Sequence, residues 1–305
     1  MKAAVIGGTG FIGSHIVDRL VRDGHDVTIF DTVSPGRSDV RFATLDIRDT
    51  GATCMALAGD YDAYFLLAAM ANVNYCFKNP VENYQANVMG VVNVMEAARR
   101  LGTQARVILS STVWVCGMSS KQEVDEMTEI GPHNATHVYT ASKGAAEMVC
   151  HSYHKLYGTP MTVLRYGIPY GPRGRAGTVV AEFVRRALAG QPLTMQGDGS
   201  QSRKFIYIDD IVEGNILAAT KPVATGKTYI LDGMESVTIK QIAELIKAEV
   251  GNVEIQFQPA RAGDYPPKET RTDLAQRELG WRPRVPFKEG LRRYIQWFKG
   301  QLGKR

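Results

Sequence analysis

The chain predicts a doubly wound α/β fold, a parallel sheet with helices on both faces, followed by a smaller C-terminal lobe. Three observations predict it. A short apolar run, Ala3-Ala4-Val5-Ile6, ends in a glycine-rich turn at 7–13 and passes into a helical pattern at 14–22. From there to Arg165, apolar runs of strand length alternate with helical patterns, as βαβ units require. After Arg165 the chain turns to Gly-, Pro- and Arg-rich loops with shorter elements between them.

Composition sets the outer bounds. At 305 residues the chain is long enough for a large core or two lobes, and 44% hydrophobic with 22% charged residues is ordinary for a soluble globular protein. A formal charge of +5 with no long basic run argues against nucleic acid as a partner. Cys54, Cys76, Cys116 and Cys150 have neither metal nor disulfide spacing, so reduced thiols and no metal are expected. No apolar run approaches the ~20 residues of a membrane span. Met1-Lys2 leads straight into a strand, and the expectation is a cytoplasmic protein with no membrane partner.

The first run is apolar throughout, as a parallel strand buried on both faces must be. Gly7, Gly10 and Gly13 form Gly-x-x-Gly-x-x-Gly between strand and helix. Glycines there allow a tight turn, close approach of a pyrophosphate and close helix–strand packing, while the helix N-terminus faces the phosphate charge. This is the opening of a Rossmann-type dinucleotide site. A second strand at 27–30 ends at Asp31, 18 residues after Gly13, where an acid accepts hydrogen bonds from an adenine ribose. A carboxylate repels a 2′-phosphate, so Asp31 favours NAD, with Arg37 keeping NADP as the minority reading. A third strand at 41–45 precedes Asp46-Ile47-Arg48-Asp49. Asp46 is open to two readings, a contact to the adenine amino group or a helix N-cap.

Residues 62–69 read as a fourth strand entering a small-residue turn. The helix at 81–100 carries Val88, Val91, Val92 and Met95 at helical spacing for the core, whereas Asn87 among them needs a polar partner. A fifth strand at 106–109 delivers Ser110-Ser111-Thr112 to the carboxyl end of the sheet, where open α/β sheets bind ligands. A loop at 121–136, a helix at 139–157 and a sixth strand at 161–165 complete a dinucleotide-binding domain over 1–165. Beyond it come a loop at 166–177, a helix at 179–189, a Gly-rich hairpin at 196–201 and a strand at 204–208. A helix at 211–219 follows, capped by Asp209-Asp210, then a run at 229–231, a helix at 239–250 and a Pro-rich stretch at 259–267. These predict a substrate-binding lobe over 166–203 and 231–305, with 204–230 contributing to the first domain.

In Tyr139-Thr140-Ala141-Ser142-Lys143, tyrosine and lysine lie four apart on one helix face. An ammonium beside a phenol favours the phenolate, making Tyr139 a candidate acid or base for a substrate hydroxyl. The pair alone also fits a solvated helix face; the dinucleotide turn upstream is what gives it weight.

These landmarks together resemble the extended short-chain dehydrogenase/reductase family, and within it the nucleotide-sugar epimerases and dehydratases. The likeness runs over nearly the whole chain. It includes Ala68-Ala69 and the stretch from Gly197-Asp198-Gly199 to Ile208-Asp209-Asp210, as well as Arg261-Ala262-Gly263-Asp264 and Leu279-Gly280-Trp281. The resemblance implies that Thr112, with Ser111 beside it, bonds the reacting sugar hydroxyl. Tyr139 would take its proton, and Lys143 would hold the nicotinamide ribose. It implies an NAD site lined by Gly7, Gly10, Phe11, Ile12, Gly13, Asp31, Asp46, Ile47, Leu67, Ala68, Ala69, Asn87, Ser110, Tyr139, Lys143 and Tyr166. For a nucleotide-sugar substrate it implies Ser111, Thr112, Arg175, Val179, Arg203, Arg261 and Asp264, with Arg203 and Arg261 on the diphosphate. Surface ion pairing is the plainer reading of those two arginines. A homodimer built from the helices at 81–100 and 141–157 is implied as well.

Departures from the family pattern narrow the reaction. Cys116 stands where a tyrosine is usual, Gly167-Ile168 replaces a Phe-Asn pair, and Leu66 stands where many relatives have histidine. Val113-Trp114 follows Thr112 where dehydratases carry an acidic pair and decarboxylases a glutamate. The leading expectation is a 4-epimerase of a UDP-hexose or UDP-hexuronate. Gly171-Pro172-Arg173-Gly174-Arg175 resembles the loop with which uronate epimerases meet a sugar carboxylate, although Arg175 also reads as a solvent-exposed loop residue. A nucleotide-sugar dehydrogenase or ketoreductase with exchangeable cofactor, a dehydratase or decarboxylase of the same family, and a non-catalytic NAD sensor are the alternatives.

Overall fold

The computed structural model describes residues 1–117, 119–131, 137–259 and 268–302. It divides into two compact units: Met1–Tyr166 with Val212–Ile230 and Thr270–Trp281, and Gly167–Ile211 with Leu231–Glu269 and Arg282–Arg305. The first unit thus takes back less of the middle segment than 204–230 and gains a C-terminal piece. That piece is tied in locally, for Arg271 N–H donates to the Val124 carbonyl at 2.9 Å and Tyr229 Oη to Glu278 at 2.6 Å.

The first stretch of chain forms β1 (Lys2–Ile6), α1 (Phe11–Arg22), β2 (Asp26–Asp31), β3 (Arg41–Thr44), α2 (Thr50–Leu57), β4 (Ala63–Leu66), α3 (Val73–Lys78) and α4 (Pro80–Tyr84). Then come α5 (Gly90–Leu101), β5 (Arg106–Thr112), β6 (Glu123–Val124), α6 (Val138–Tyr157) and β7 (Met161–Tyr166). The chain continues through β8 (Ile168–Tyr170), α7 (Val179–Leu188), β9 (Leu193–Gln196), β10 (Ser202–Tyr207), α8 (Ile208–Thr220) and β11 (Lys227–Leu231). It closes with β12 (Ser236–Thr238), α9 (Ile239–Val250), β13 (Ile255–Gln258) and α10 (Phe287–Leu302).

Seven strands form one sheet in the order β11-β7-β5-β4-β1-β2-β3, parallel from β7 to β3. The chain winds outward from β1 in one direction and from β4 in the other, so the topological switch lies between β1 and β4. Both flanking turns, after β1 and after β4, open at the same carboxyl end. Tyr64, Leu66, Leu109 and Val163 pack under α2, α5 and α6 against Leu57, Val94, Met95 and Cys150. Leu66, one of the departures noted above, is core at 1% exposure.

Sequence and structure differ in several places, among them short strands β6 and β8 inside expected loops and an α8 that takes in Asp209 and Asp210 as its first turn. The fourth strand ends at Leu66, and Leu67 and Ala68 instead donate their N–H groups to the Ile6 carbonyl at 2.8 and 2.9 Å. The helix expected at 81–100 is broken by a wide π turn, Gln85–Met89. Gly90 then lies so close to Ile47 that a Cβ there would meet its Cδ1 at 2.5 Å. β5 runs on through Thr112, because Ser110, Ser111 and Thr112 stay in register with Leu164, Arg165 and Tyr166. The Gly-rich segment at 196–201 is no hairpin: β9 pairs with β13 and β10 with β8 and β12, so the turn joins two different sheets. In the second unit α10 packs on α7, α9 and β10, and Gly290 leaves room for the Tyr170 ring.

Two glycines fix the dinucleotide turn sterically. Gly7 has φ +88°, and a Cβ on it would strike Ala68 N at 2.5 Å; one on Gly13 would come within 2.1 Å of the Gly7 carbonyl oxygen. Gly10 meets only that same oxygen, at 3.3 Å. Gly13→Ala must push α1 off the turn, and overpacking of this kind typically costs about 1–3 kcal/mol. Thermal and urea unfolding should show that loss, whereas Gly10→Ala should unfold like the wild type.

Candidate active site

The carboxyl end of the parallel sheet collects the first unit's functional side chains. α1 begins at Gly10 with no side-chain cap and no acid in its first turn, leaving its N-terminal N–H groups for a phosphate. Asp31 closes β2 and accepts from Thr9 N–H at 3.0 Å and Val33 N–H at 3.2 Å, which ties the glycine turn to the end of β2. Arg37, the residue that kept NADP open, is held by Asp39 through two bonds of 2.7 and 2.6 Å and by Asp18 at 2.6 Å. Asp39 raises its affinity for its proton further. A 2′-phosphate would have to displace two carboxylates.

Asp46 is not the helix cap. Asp49 caps α2, accepting from Ala52 N–H at 2.9 Å, while Asp46 takes the Arg48 guanidinium at 2.6–3.0 Å, which holds its carboxyl below the usual range. Ile47 is buried and its carbonyl takes Asn93 Nδ2 at 2.8 Å. Leu67, Ala68 and Ala69 lie half-buried just past β4. The partner that Asn87 required is the backbone of Met70, which donates N–H to Oδ1 at 2.7 Å and accepts from Nδ2 at 2.9 Å. Nδ2 also donates to Ser142 Oγ at 3.0 Å. Asn87 therefore clamps the turn after β4 to α6, one residue from Lys143. Tyr166 is turned inward, its hydroxyl donating to Asn215 Oδ1 at 2.9 Å, and burial pushes its pKa up. That hydroxyl is engaged inside the fold.

Alternation along β5 separates the three hydroxyl residues. Ser110 and Thr112 share one face of the strand and Ser111 takes the other. Thr112 Oγ1 accepts from Trp114 N–H at 3.2 Å and caps the 3₁₀ turn Val113–Cys116. Ser111 is 4% exposed and donates to the Glu147 carboxylate, so its hydroxyl is engaged on the opposite face of the strand from Thr112. Glu147 and Arg165 were not singled out from sequence. They form a buried ion pair, with Arg165 Nη2 to Oε2 at 2.8 Å and Nε to both carboxylate oxygens at 3.1 Å. Arg165 also reaches Cys116 Sγ at 3.6 Å and the Glu126 carbonyl at 3.3 Å. A charged pair four residues apart on α6, Lys143 and Glu147, and an arginine inside an apolar strand were the available signals.

α6 starts at His137, whose Nδ1 accepts from Thr140 N–H at 3.3 Å as an N-cap. Tyr139 follows in the first turn, half-buried. Lys143 is 3% exposed, and burial pulls its ammonium down to about 8 from 10.5, against the opposing charge of Glu147. Thr112, Tyr139 and Lys143 thus belong to β5 and α6, which pack directly on one another.

In the second unit, Arg203 lies on β10 and its Nη1 donates to the Ser202 carbonyl at 2.7 Å. Arg175 is exposed, its carbonyl accepting from Thr178 Oγ1 at 3.2 Å, and Val179 is half-buried at the start of α7. Gly167 is required by Asp232, whose Oδ1 would lie 1.8 Å from a Cβ there. Arg261 and Asp264 lie outside the described residues.

Comparison with known proteins agrees with this geometry. A family model described as NAD dependent epimerase/dehydratase family matches residues 3–231. The chain is 32% identical over 317 residues to a UDP-glucose 4-epimerase of Mycolicibacterium smegmatis, covering 99% of each. It is also 32% identical over 313 residues to UDP-glucuronic acid decarboxylase 1 of Danio rerio, covering 99% of this chain and 73% of that one. The solved UDP-glucose 4-epimerase of Thermotoga maritima with UDP-glucose superposes with a TM-score of 0.91 at 30% identity, covering 99% of this chain and 100% of that one.

The buried ammonium has a measurable consequence. Between about 8 and 10.5 the unfolded chain holds a proton that folded Lys143 has released, so folding stability rises with pH across that window. At about 1.4 kcal/mol per pKa unit, the cofactor-stripped protein should gain about 3 kcal/mol relative to Lys143→Met in urea titrations from pH 8 to 10.5. A constant difference between the two proteins would contradict the desolvation.

Proposed function

The chain belongs to the NAD dependent epimerase/dehydratase family, and from that premise we propose that it inverts C4 of a UDP-sugar through a transient 4-keto sugar. The observation that carries the reading is Thr112, Tyr139 and Lys143 on two packed elements, followed at β5 by Val113-Trp114 with no acid.

The residues present fit NAD. The uncapped α1 N-terminus suits the pyrophosphate, Asp31 has carboxylate lone pairs for ribose hydroxyls, and Lys143 supports the nicotinamide ribose. Bound NAD supplies a hydride acceptor that gives the hydride back. Thr112 holds the C4 hydroxyl of the sugar while Tyr139 takes its proton as the C4–H hydride leaves. With NAD bound, Tyr139 would give the proton back to the same oxygen once the sugar is inverted, so the reaction would have no net oxidation. Lys143 favours the phenolate through its charge. Inversion would require the sugar to present its opposite face before Tyr139 returns the proton. Arg203, Arg261 and Asp264 are the residues we assign to the nucleotide diphosphate and ribose, with Arg175 and Val179 toward the sugar end.

The equal identity to a decarboxylase favours one second reading, loss of CO₂ from a UDP-hexuronate. NMR of products from UDP-hexoses and UDP-hexuronates separates the two, since epimerisation yields a C4 epimer and decarboxylation a pentose. Tyr139→Phe keeps the ring and removes the proton carrier, so turnover should fall about 10²–10⁴-fold. NAD content and UDP affinity should hold. An active Tyr139→Phe enzyme would contradict the proposed role.

We also propose a cytoplasmic homodimer. All four cysteines are free thiols, which suits a reducing compartment. Val81, Tyr84 and Met89 on the α4–α5 segment and Met148, Leu156 and Tyr157 on α6 are exposed, and α5 packs beside α6. Two-fold pairing is the commonest way to cover such a face. Light scattering should give a dimer, and Met148→Glu with Leu156→Glu should give a monomer.

A further inference from the structure

Thr112 and Tyr139 come from different elements, and an aromatic row connects those elements. The Trp114 and His137 rings lie 5.7 Å apart at 57°, and the His137 and Tyr139 rings 6.4 Å apart at 31°. Trp114 and His137 are each held by a local hydrogen bond. Trp114 N–H is held by Thr112 Oγ1, and His137 Nδ1 by the first-turn N–H of Thr140. Trp114 is 38% exposed although the next two residues of its turn, Val115 and Cys116, are at 0% and 1%. A large ring left open in an otherwise sealed turn, beside the group that grips the substrate hydroxyl, has the character of a contact surface.

We propose that the Trp114–His137 pair is the wall on which the sugar turns between its two hydride-transfer orientations. The proposal rests on the 4-epimerase reading. A turning ring has to be retained while presenting first one face and then the other. Directional hydrogen bonds would favour one face and trap it. Ring faces offer contact to C–H groups without fixing direction, so either sugar face is accepted. The indole carries no titratable group. Burial also holds the His137 imidazole toward its neutral form, so the wall carries no cation that would pin one substituent. Both residues act on specificity and retention; neither exchanges a proton with the substrate.

The test compares Trp114→Ala, Trp114→Phe and His137→Asn, which keeps a good helix cap. The measurements are KM for the UDP-sugar, calorimetric Kd for UDP alone, NAD content, and fluorescence of reduced nicotinamide during turnover. Trp114→Ala should raise KM by about tenfold, equivalent to about 1.4 kcal/mol. It should also accumulate reduced nicotinamide, because keto sugar escapes before turning. UDP affinity and NAD content should match the wild type, Trp114→Phe should restore both kinetic properties, and His137→Asn should raise KM. An active wild type whose Trp114→Ala variant keeps its KM and accumulates no reduced cofactor overturns the wall alone, as does a Phe variant no better than Ala. A wild type that inverts no UDP-sugar overturns the epimerase reading, and the wall with it.

Discussion

A single buried arrangement of charge governs the catalytic end of the first unit: Glu147 between Arg165 and Lys143. An ammonium at 3% exposure is expensive to desolvate, and the neighbouring carboxylate is what keeps Lys143 near 8 instead of lower still. That carboxylate is in turn buried, and is satisfied by three Arg165 contacts and by Ser111. Burial pulls the Arg165 proton affinity down, and the charge and hydrogen bonds of Glu147, with smaller help from Cys116 and Glu126, together raise it. Removing one member of such a set leaves an uncompensated charge, which is why buried pairs are lost far less cheaply than surface ones. The pair also ties α6 to β5 and β7, so the element carrying Tyr139 and Lys143 is fixed to the strand carrying Thr112.

That dependence explains what could be read from the sequence and what could not. The centre of the sheet was legible because β1 and β4 are buried on both faces and read as short apolar runs, unlike the exposed edge strand β3; the glycine turn was legible because Gly7 and Gly13 have no room for a Cβ. The Tyr139–Lys143 spacing survives as two groups on one helix face because helical periodicity is local. The Ser111 bond to Glu147 was not legible because three adjacent hydroxyls look equivalent in sequence, whereas in a strand that continues to Thr112 they alternate faces. The strand end depended on pairing with β7, a partner 54 residues away at Thr112 and Tyr166, and no local signal reports that.

Asn87, Tyr166 and Asp46 show a second limit. For Asn87 and Tyr166 the partner lies elsewhere in the chain, the Met70 backbone and the Asn215 side chain, whereas Asp46 takes the Arg48 guanidinium two residues on. Sequence can say that such a side chain needs a partner, yet for Asn87 and Tyr166 the partner comes from tertiary contact. In Asn87 the requirement is met by a clamp reaching Ser142 beside Lys143, which fixes α6 to the turn after β4. The π turn that carries Asn87 gives way to α5 at Gly90, which lies close against Ile47.

Overall likeness does not select the reaction, because this chain is as similar to a decarboxylase as to an epimerase. The chemistry after the first hydride transfer does. A ketone at C4 acidifies the hydrogen at C5 and turns a C6 carboxylate into a β-keto acid, so elimination and loss of CO₂ both become accessible. An enzyme that only inverts C4 must therefore keep acids and bases away from C5 and C6 while the ketone lives. Following Thr112 with Val113 and Trp114 does this with side chains that neither donate nor accept a proton at neutral pH. The same substitution places an indole where a carboxylate would have been. The steric volume and apolar surface of that ring then become available for holding the sugar, so the absence of one chemistry and the presence of a contact surface have a single structural origin.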